Sequence, residues 1–231
     1  MLKVYYRISD KGKTINKPEY INNRLCLENF CSCFNNDVDI TFVADNCNND
    51  TIEWLKTFGK EIVRTSLGNA TSCLYTLDLA LSRARNDTEL VYFVEADYLH
   101  RPDSLNVLME GLERFDYVTL YDHPDKYMLR SPNPFVQHGG EVTKVYLTAS
   151  THWKETNSTT MTFAAKVSTL REDRMVFAEF CEKRNIPDDF QCFVSLTKHK
   201  NRTLVSPIPG YSTHGESMYL SPLIKWKSNM F

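Results

Sequence analysis

The chain has 231 residues, 42% of them hydrophobic and 24% charged, which suits one α/β domain burying a sizeable core. Its formal net charge of -2 gives no global basic field, which argues against nucleic acid or an acidic membrane surface as a partner. No stretch approaches the roughly 18 uninterrupted apolar residues of a membrane span.

The opening residues, Met1-Leu2-Lys3-Val4-Tyr5-Tyr6-Arg7, lack the long apolar run of a signal peptide and read instead as a first strand, Leu2–Ile8. Asn16-Lys17-Pro18-Glu19 reads as a helix start with Pro18 in its first turn, and Ile21, Leu25 and Phe30 give that helix an apolar face. Residues 38–44 form a second strand ending at Asp45, residues 51–58 a short helix, and residues 61–65 a third strand. Gly68-Asn69 caps a long helix with the stripe Ala70, Cys73, Leu74, Leu77 and Leu81. Leu90-Val91-Tyr92-Phe93-Val94 has no polar alternation, the mark of a strand covered on both faces. A helix over 103–114 and a strand over 117–120 follow.

Strand and helix therefore alternate through the first half, which predicts an open, mostly parallel α/β sheet flanked by helices. In such sheets ligands bind beyond the carboxyl ends of the strands, where Asp45 and the Glu95/Asp97 pair fall. The second half is less regular. Residues 122–140 read as a loop over the site. Strands are expected over 142–148 and 160–165, joined by the polar segment 150–158, then helices over 167–184 and 188–198 and a last strand over 204–209. No repeat or linker divides the chain. Its seven cysteines are odd in number and scattered, which with no secretory signal predicts reduced thiols and a cytoplasmic location. Cys26, Cys31 and Cys33 lie on a helical pattern without a second Cys pair or a nearby His pair, and read as small hydrophobes rather than zinc ligands.

The chemistry centres on Glu95-Ala96-Asp97. Alternate residues of an extended chain point the same way, so the two carboxylates are expected on one side. Hard oxygen ligands at an exposed strand end suit Mn²⁺ or Mg²⁺ bridging a substrate diphosphate. Acid-x-acid also occurs at Asp37/Asp39 and Asp87/Glu89, but only Glu95/Asp97 follows an apolar strand.

Residues 90–105, Leu-Val-Tyr-Phe-Val-Glu-Ala-Asp-Tyr-Leu-His-Arg-Pro-Asp-Ser-Leu, resemble the acidic motif of GT-A glycosyltransferases of the broad family-2-like group: a hydrophobic strand, D-x-D, then Pro and a helix. Glu95 takes the place of the first Asp. The resemblance covers about residues 2–120 well and the remainder loosely. It implies a GT-A-like, Rossmann-like single domain over 1–231, with a nucleotide-sugar half (1–120) and a smaller, irregular acceptor or catalytic half (121–231). It also implies a nucleotide-sugar donor, UDP being the commonest carrier, a hydroxyl acceptor such as a glycan, and Mn²⁺ or Mg²⁺.

Residue by residue, the resemblance implies that Asp97, with Glu95, holds the metal, and that His214 in Ser212-Thr213-His214-Gly215-Glu216 is a third ligand. Asp45 and Asn69 fall where the family contacts the nucleotide, though each also reads as a turn residue or plain helix cap. Tyr6, Arg7 and Ser9 end the first strand and line the same pocket with Ala96. Trp153 reads either as a sugar-stacking ring or as core. Inverting members carry a catalytic carboxylate at a late helix start, which matches Ile186-Pro187-Asp188-Asp189-Phe190. There a helix N-terminus would keep the carboxylate ionised. Asp189 is the expected general base and Asp188 the alternate. Two other readings compete: a sugar nucleotidyltransferase, which needs a Gly-rich loop where Ser9-Asp10-Lys11-Gly12-Lys13 has one glycine, and a catalytically inactive nucleotide-sugar-binding module. A retaining mechanism also stays open.

Overall fold

A computed structural model of the chain describes residues 1–12, 16–34 and 37–229. The first half runs β1 (Leu2–Ile8), α1 (Asn23–Phe34), β2 (Val38–Asp45), α2 (Asn49–Lys56), β3 (Glu61–Thr65), α3 (Asn69–Arg83), β4 (Leu90–Glu95), β5 (Tyr98–His100), α4 (Ser104–Arg114) and β6 (Tyr117–Val118). The second half adds β7 (Val136–Gln137), β8 (Gly140–Glu141), β9 (Val145–Leu147), β10 (His152–Glu155), β11 (Phe163–Lys166), α5 (Val167–Cys181), α6 (Asp189–Val194), β12 (Leu204–Ile208) and β13 (Ser212–His214). A π-helical turn, Ser195–His199, continues α6.

Nine strands form one sheet in the order β3-β2-β1-β4-β11-β6-β12-β10-β9. The strands β3, β2, β1 and β4 are mutually parallel, and within the whole sheet only β11 and β10 run against the rest. The expected mixed α/β architecture with a mostly parallel sheet is thus observed. Two small antiparallel pairs, β13-β5 and β7-β8, stand beside it.

Strand alternation divides the core into two layers. Val4, Tyr6 and Ile8 of β1 and Tyr92 and Val94 of β4 pack with Phe30 and Phe34 of α1, Leu55 of α2 and Leu108 of α4. Tyr5 of β1 and Val91 and Phe93 of β4 face the other way, against Leu74 and Leu77 of α3, Phe177 of α5 and Phe193 of α6. A side chain at the end of β1 or β4 therefore enters one layer or the other according to its parity.

Two sequence expectations shift. The first helix starts at Asn23, not at Pro18, because Ile21 N–H closes a turn on the Pro18 carbonyl (2.9 Å) and the Asn22 side chain then caps Leu25 N–H (3.0 Å). The segment 150–158 is not a plain connector: it contains β10, whose Trp153 and Lys154 are both buried. Lys154 enters the interior because its ammonium pairs with the buried Asp122 carboxylate (2.9 Å) and donates to Tyr127 Oη (2.9 Å). A buried cation disguised the strand as polar. Among the described residues, no helix is long and apolar enough to cross a membrane.

A candidate active site at the carboxyl ends of β1 and β4

Arg7 and Glu95 are register partners on adjacent parallel strands and have the parity that faces α3. The Arg7 guanidinium donates to Glu95 Oε1 at 2.8 Å and grips the first residue of α3 through Asn69 O (2.9 Å) and Asn69 Oδ1 (3.2 Å). Glu95 is further fixed by Thr162, whose hydroxyl accepts from Glu95 N–H at 3.1 Å and lies 3.5 Å from Oε2. That hydroxyl therefore bridges the backbone and the carboxylate of Glu95, donating to Oε2.

After Glu95 the chain leaves the strand in a turn, Ala96-Asp97, before β5 begins. The expectation of two carboxylates on one strand face is corrected for this reason: Asp97 is not part of the strand and takes different partners. Lys17 Nζ reaches Asp97 Oδ2 at 3.0 Å, and His214 Nε2 lies 3.3 Å from the same oxygen. The β13-β5 pairing brings His214 there, since it stands opposite Tyr98 in the register, with its ring 5.4 Å from the Tyr98 ring. Gly215 permits the approach: a Cβ there would sit 2.5 Å from Ile21 Cγ2 and 2.8 Å from the Asp97 carbonyl oxygen.

Burial pushes the Asp97 carboxyl upward, but the His214 hydrogen bond and charge, and then Lys17, outweigh it and hold Asp97 well below the usual carboxylate range. For His214, burial works downward, while the bond to Asp97 and its charge raise the imidazole above its ordinary value. Glu216 N–H points at Nδ1 (3.4 Å), which leaves the ring proton on Nε2 facing Asp97. The carboxylate oxygen and the imidazole N–H are thus each other's hydrogen-bond partners. Among the described residues, no group of three or more His, Cys, Asp or Glu side chains could hold a metal ion, so Glu95, Asp97 and His214 do not form one ready-made cluster.

The late acidic pair divides its duties. Asp188 is the N-cap of α6: it accepts from Gln191 N–H (3.2 Å) and pairs with Arg184 (3.3 Å). Asp189 is the first helical residue, and its carboxylate accepts from Phe190 N–H at 2.8 Å. Burial, followed by the charge of Glu95, pushes Asp189 up to about 7, against the Phe190 N–H and His214. The helix terminus does not keep it fully ionised as the sequence implied, because desolvation beats one backbone donor. The loop before α6 is tied to the first turn of α3 through Ala70 N–H on Asn185 O (3.4 Å) and to α5 through Asp188 N–H on Phe180 O (3.0 Å).

The remaining sequence candidates lie in the core or in supporting places. Tyr6 is 0% exposed and packs on Phe30 and Phe42, because its parity is opposite to that of Arg7; it does not line a pocket. Ala96 is buried in the same layer. Asp45 spends its carboxylate on Thr65 Oγ1, Leu67 N–H, Gly68 N–H and Asn46 Nδ2, at 2.7–3.0 Å, and so shapes the β3–α3 loop. Burial opposes those four donors, which nonetheless hold its pKa down. Ser9 accepts from Lys11 N–H (3.1 Å) and through its carbonyl from Asn23 (3.0 Å), a turn role. Trp153 is 0% exposed, its indole N–H donates to Thr148 Oγ1 (3.0 Å), and it cannot stack on a sugar. Trp153→Ala should cost about 3–5 kcal/mol in urea unfolding and leave nucleotide affinity of the remaining folded protein unchanged. Loss of affinity in the folded fraction would return Trp153 to the site.

Sequence reasoning missed Lys17 and Thr162. In the sequence Lys17 reads as part of a helix start. Neither has a spacing signal, since both meet their carboxylates only through the tertiary fold.

No family model matches the chain, and no curated protein matches it in sequence. Solved structures do resemble it. Residues 1–349 of TarS from S. aureus superpose with a TM-score of 0.55 at 13% identity, over 89% of this chain and 57% of that one. A protein of Desulfovibrio desulfuricans G20, described as a nucleotide-diphospho-sugar transferase, gives 0.53 at 8% identity, over 89% of this chain and 78% of that one. These likenesses establish a shared fold, and the chain spans little more than half of the TarS fragment.

Proposed function

We propose that this chain is a metal-dependent glycosyltransferase that moves a sugar from a nucleotide-sugar donor, UDP-linked, to a hydroxyl acceptor with inversion. The observation that carries the reading is the Asp97–His214 pair (3.3 Å) at the turn after β4, with the Asp189 carboxylate close enough to feel the charges of Glu95 and His214. The fold shared with a protein described as a nucleotide-diphospho-sugar transferase is consistent with it.

Each residue has a task in this reading. A divalent cation on Asp97 and His214 would offset the negative charge that builds on the departing nucleoside diphosphate. Glu95, braced by Arg7, accepts a hydroxyl of the donor through Oε2. Asn69 is tied to the same guanidinium and presents the first turn of α3. Asp189 takes the proton of the acceptor hydroxyl as its oxygen attacks the anomeric carbon. A carboxylate with a pKa near 7 is matched to that task at neutral pH.

A panel of nucleotide sugars with Mn²⁺, read by thermal shift and by product analysis, tests the whole reading. Release of nucleoside diphosphate supports sugar transfer. Release of pyrophosphate from a nucleoside triphosphate and a sugar phosphate would favour a nucleotidyltransferase, and binding without turnover an inactive module.

The metal assignment has a pH signature. His214 keeps its proton above its ordinary pKa, so a cation must displace that proton. Mn²⁺ affinity should rise with pH until the imidazole is neutral, and His214→Gln should both weaken binding and flatten the profile. The same shift makes the His214–Asp97 contact stabilising in acid: its contribution is complete below the ordinary His value and disappears as pH rises through the raised one. Calorimetric titrations from pH 5.5 to 8 check both; a wild-type profile in the variant would remove His214 from the metal site.

A further inference from the structure

Helices α3 and α5 run antiparallel on one face of the sheet, and two contacts fix how they are aligned. At one end the Ala70 N–H of α3 donates to the Asn185 carbonyl just beyond α5 (3.4 Å). Further along, the Arg174 guanidinium of α5 grips the Asp78 carboxylate of α3 with two bonds of 2.9 Å. One turn in from the first tie, α3 presents Cys73 and α5 presents Cys181. One turn further, Leu77 and Phe177 lie in the same apolar layer. The alignment thus sets the two cysteines opposite each other. Both are free, and their thiols share a hydrogen bond.

The two sulfurs differ in access and in surroundings. Cys181 is 1% exposed, whereas Cys73 is half-buried. The bond from Cys181, and then the positive charge of Arg7, hold the Cys73 thiol below its ordinary value against burial. The same bond, with burial, pushes the Cys181 thiol up. Cys73 is therefore the sulfur that ionises and that an oxidant reaches first. Its place is also specific: Asn69, which the Arg7 guanidinium holds, lies one turn before Cys73 on the same side of α3.

We propose that Cys73 and Cys181 are a peroxide-sensitive dithiol whose disulfide staples the start of α3 to the end of α5, beside Arg7 and Asn69. The Cys73 thiolate attacks one oxygen of hydrogen peroxide and breaks the O–O bond. Cys73 becomes a sulfenic acid, and the departing hydroxide takes up the proton that Cys73 released. The Cys181 sulfur then attacks the sulfenic sulfur, the S–O bond breaks, and hydroxide leaves as water with the Cys181 proton. Two thiols and one peroxide give one disulfide and two waters. This inference does not depend on the transferase reading above.

The folded full chain is treated with hydrogen peroxide, the remaining thiols are alkylated in denaturant, and the peptides are mapped by mass spectrometry with and without dithiothreitol. Two of the seven cysteines should escape alkylation as a linked pair of peptides bearing Cys73 and Cys181, and dithiothreitol should restore both. Amide exchange over the first turn of α3 should slow by about 10-fold in the cross-linked protein, since opening that turn now strains a covalent tie. In Cys181→Ala, Cys73 should stop at the sulfenic acid and be captured by dimedone. Cys192→Ala, which alters a third thiol of the same layer, should still form the cross-link. Thermal melts check that each variant is folded. A wild-type chain whose seven cysteines are all alkylated after peroxide, or a disulfide from Cys73 to Cys192 or any other cysteine, overturns the dithiol. Unchanged exchange in the cross-linked protein overturns the staple, and a Cys181→Ala protein in which dimedone captures nothing at Cys73 overturns the order of attack.

Discussion

Asp189→Asn should lower kcat by about 10²- to 10⁴-fold while donor affinity stays close to wild type. That is the usual range for loss of a general base, which acts in the transition state and not in donor binding. Asn has nearly the same shape, and Asp188, not Asp189, caps α6 through Gln191 N–H, so the helix should persist. Asp188→Asn is the matched comparison and should change rate by only a few-fold.

The pH dependence adds a second readout for the same residue. With a folded value of about 7, Asp189 is protonated in acid, so kcat/KM should climb with pH and level off above about 7. The sign for stability is the reverse of the usual carboxylate case. The ordinary value of 3.8 lies below the folded one, so between about 4 and 7 the unfolded chain ionises first and is favoured. The Asp189 carboxyl thus costs stability progressively as pH rises through that window. Asp189→Asn should melt at about the wild-type temperature near pH 4 and above it at pH 8. A fully active Asp189→Asn protein beside an inactive Asp188→Asn protein would show that the other carboxylate is the base. Retention of anomeric configuration in the product would reject direct displacement.

Asp97→Asn should remove Mn²⁺-dependent donor binding, with an apparent affinity loss of at least about 100-fold, since even residues that only support a metal ligand typically cost 10- to 100-fold. The variant keeps the size of the side chain and can still accept a hydrogen bond from His214. It no longer neutralises Lys17 at 3.0 Å or holds the imidazole above its ordinary pKa. Metal-free nucleotide binding should therefore survive. Calorimetry with UDP, with Mn²⁺ and with EDTA, distinguishes the two components. Unchanged Mn²⁺-dependent affinity would exclude Asp97 from metal binding.

Both expectations follow from placement that the sequence signals in part. Apolar continuity at 90–94 marked β4, and the acidic residues directly after it marked the strand end where the chain turns toward β5. Local patterns of this kind are readable because a strand buried on both faces admits few other residue types. The pair Asp188-Asp189 was legible as a helix start for the same local reason: a short polar side chain can satisfy the free N–H groups of a first turn. Which of the two caps and which is pushed toward neutral pH was not legible, since burial by residues far along the chain decides it.

The sequence by itself determined the alternation of strands and helices through the first half, the strand at 90–94 covered on both faces, and the candidate carboxylates at strand and helix ends. Only the tertiary structure decided that Tyr6 faces the core while Arg7 faces Glu95, through the parity of β1 against β4. It alone separated Glu95 from Asp97 at the turn, hid β10 behind the buried Lys154–Asp122 pair, and brought Lys17 and His214 to one oxygen of Asp97. Propensity and periodicity act over a few neighbouring residues and so leave a local trace. Charge pairing between residues 80 positions apart, such as Lys17 and Asp97, leaves none, because its energy depends on distance in space and not along the chain.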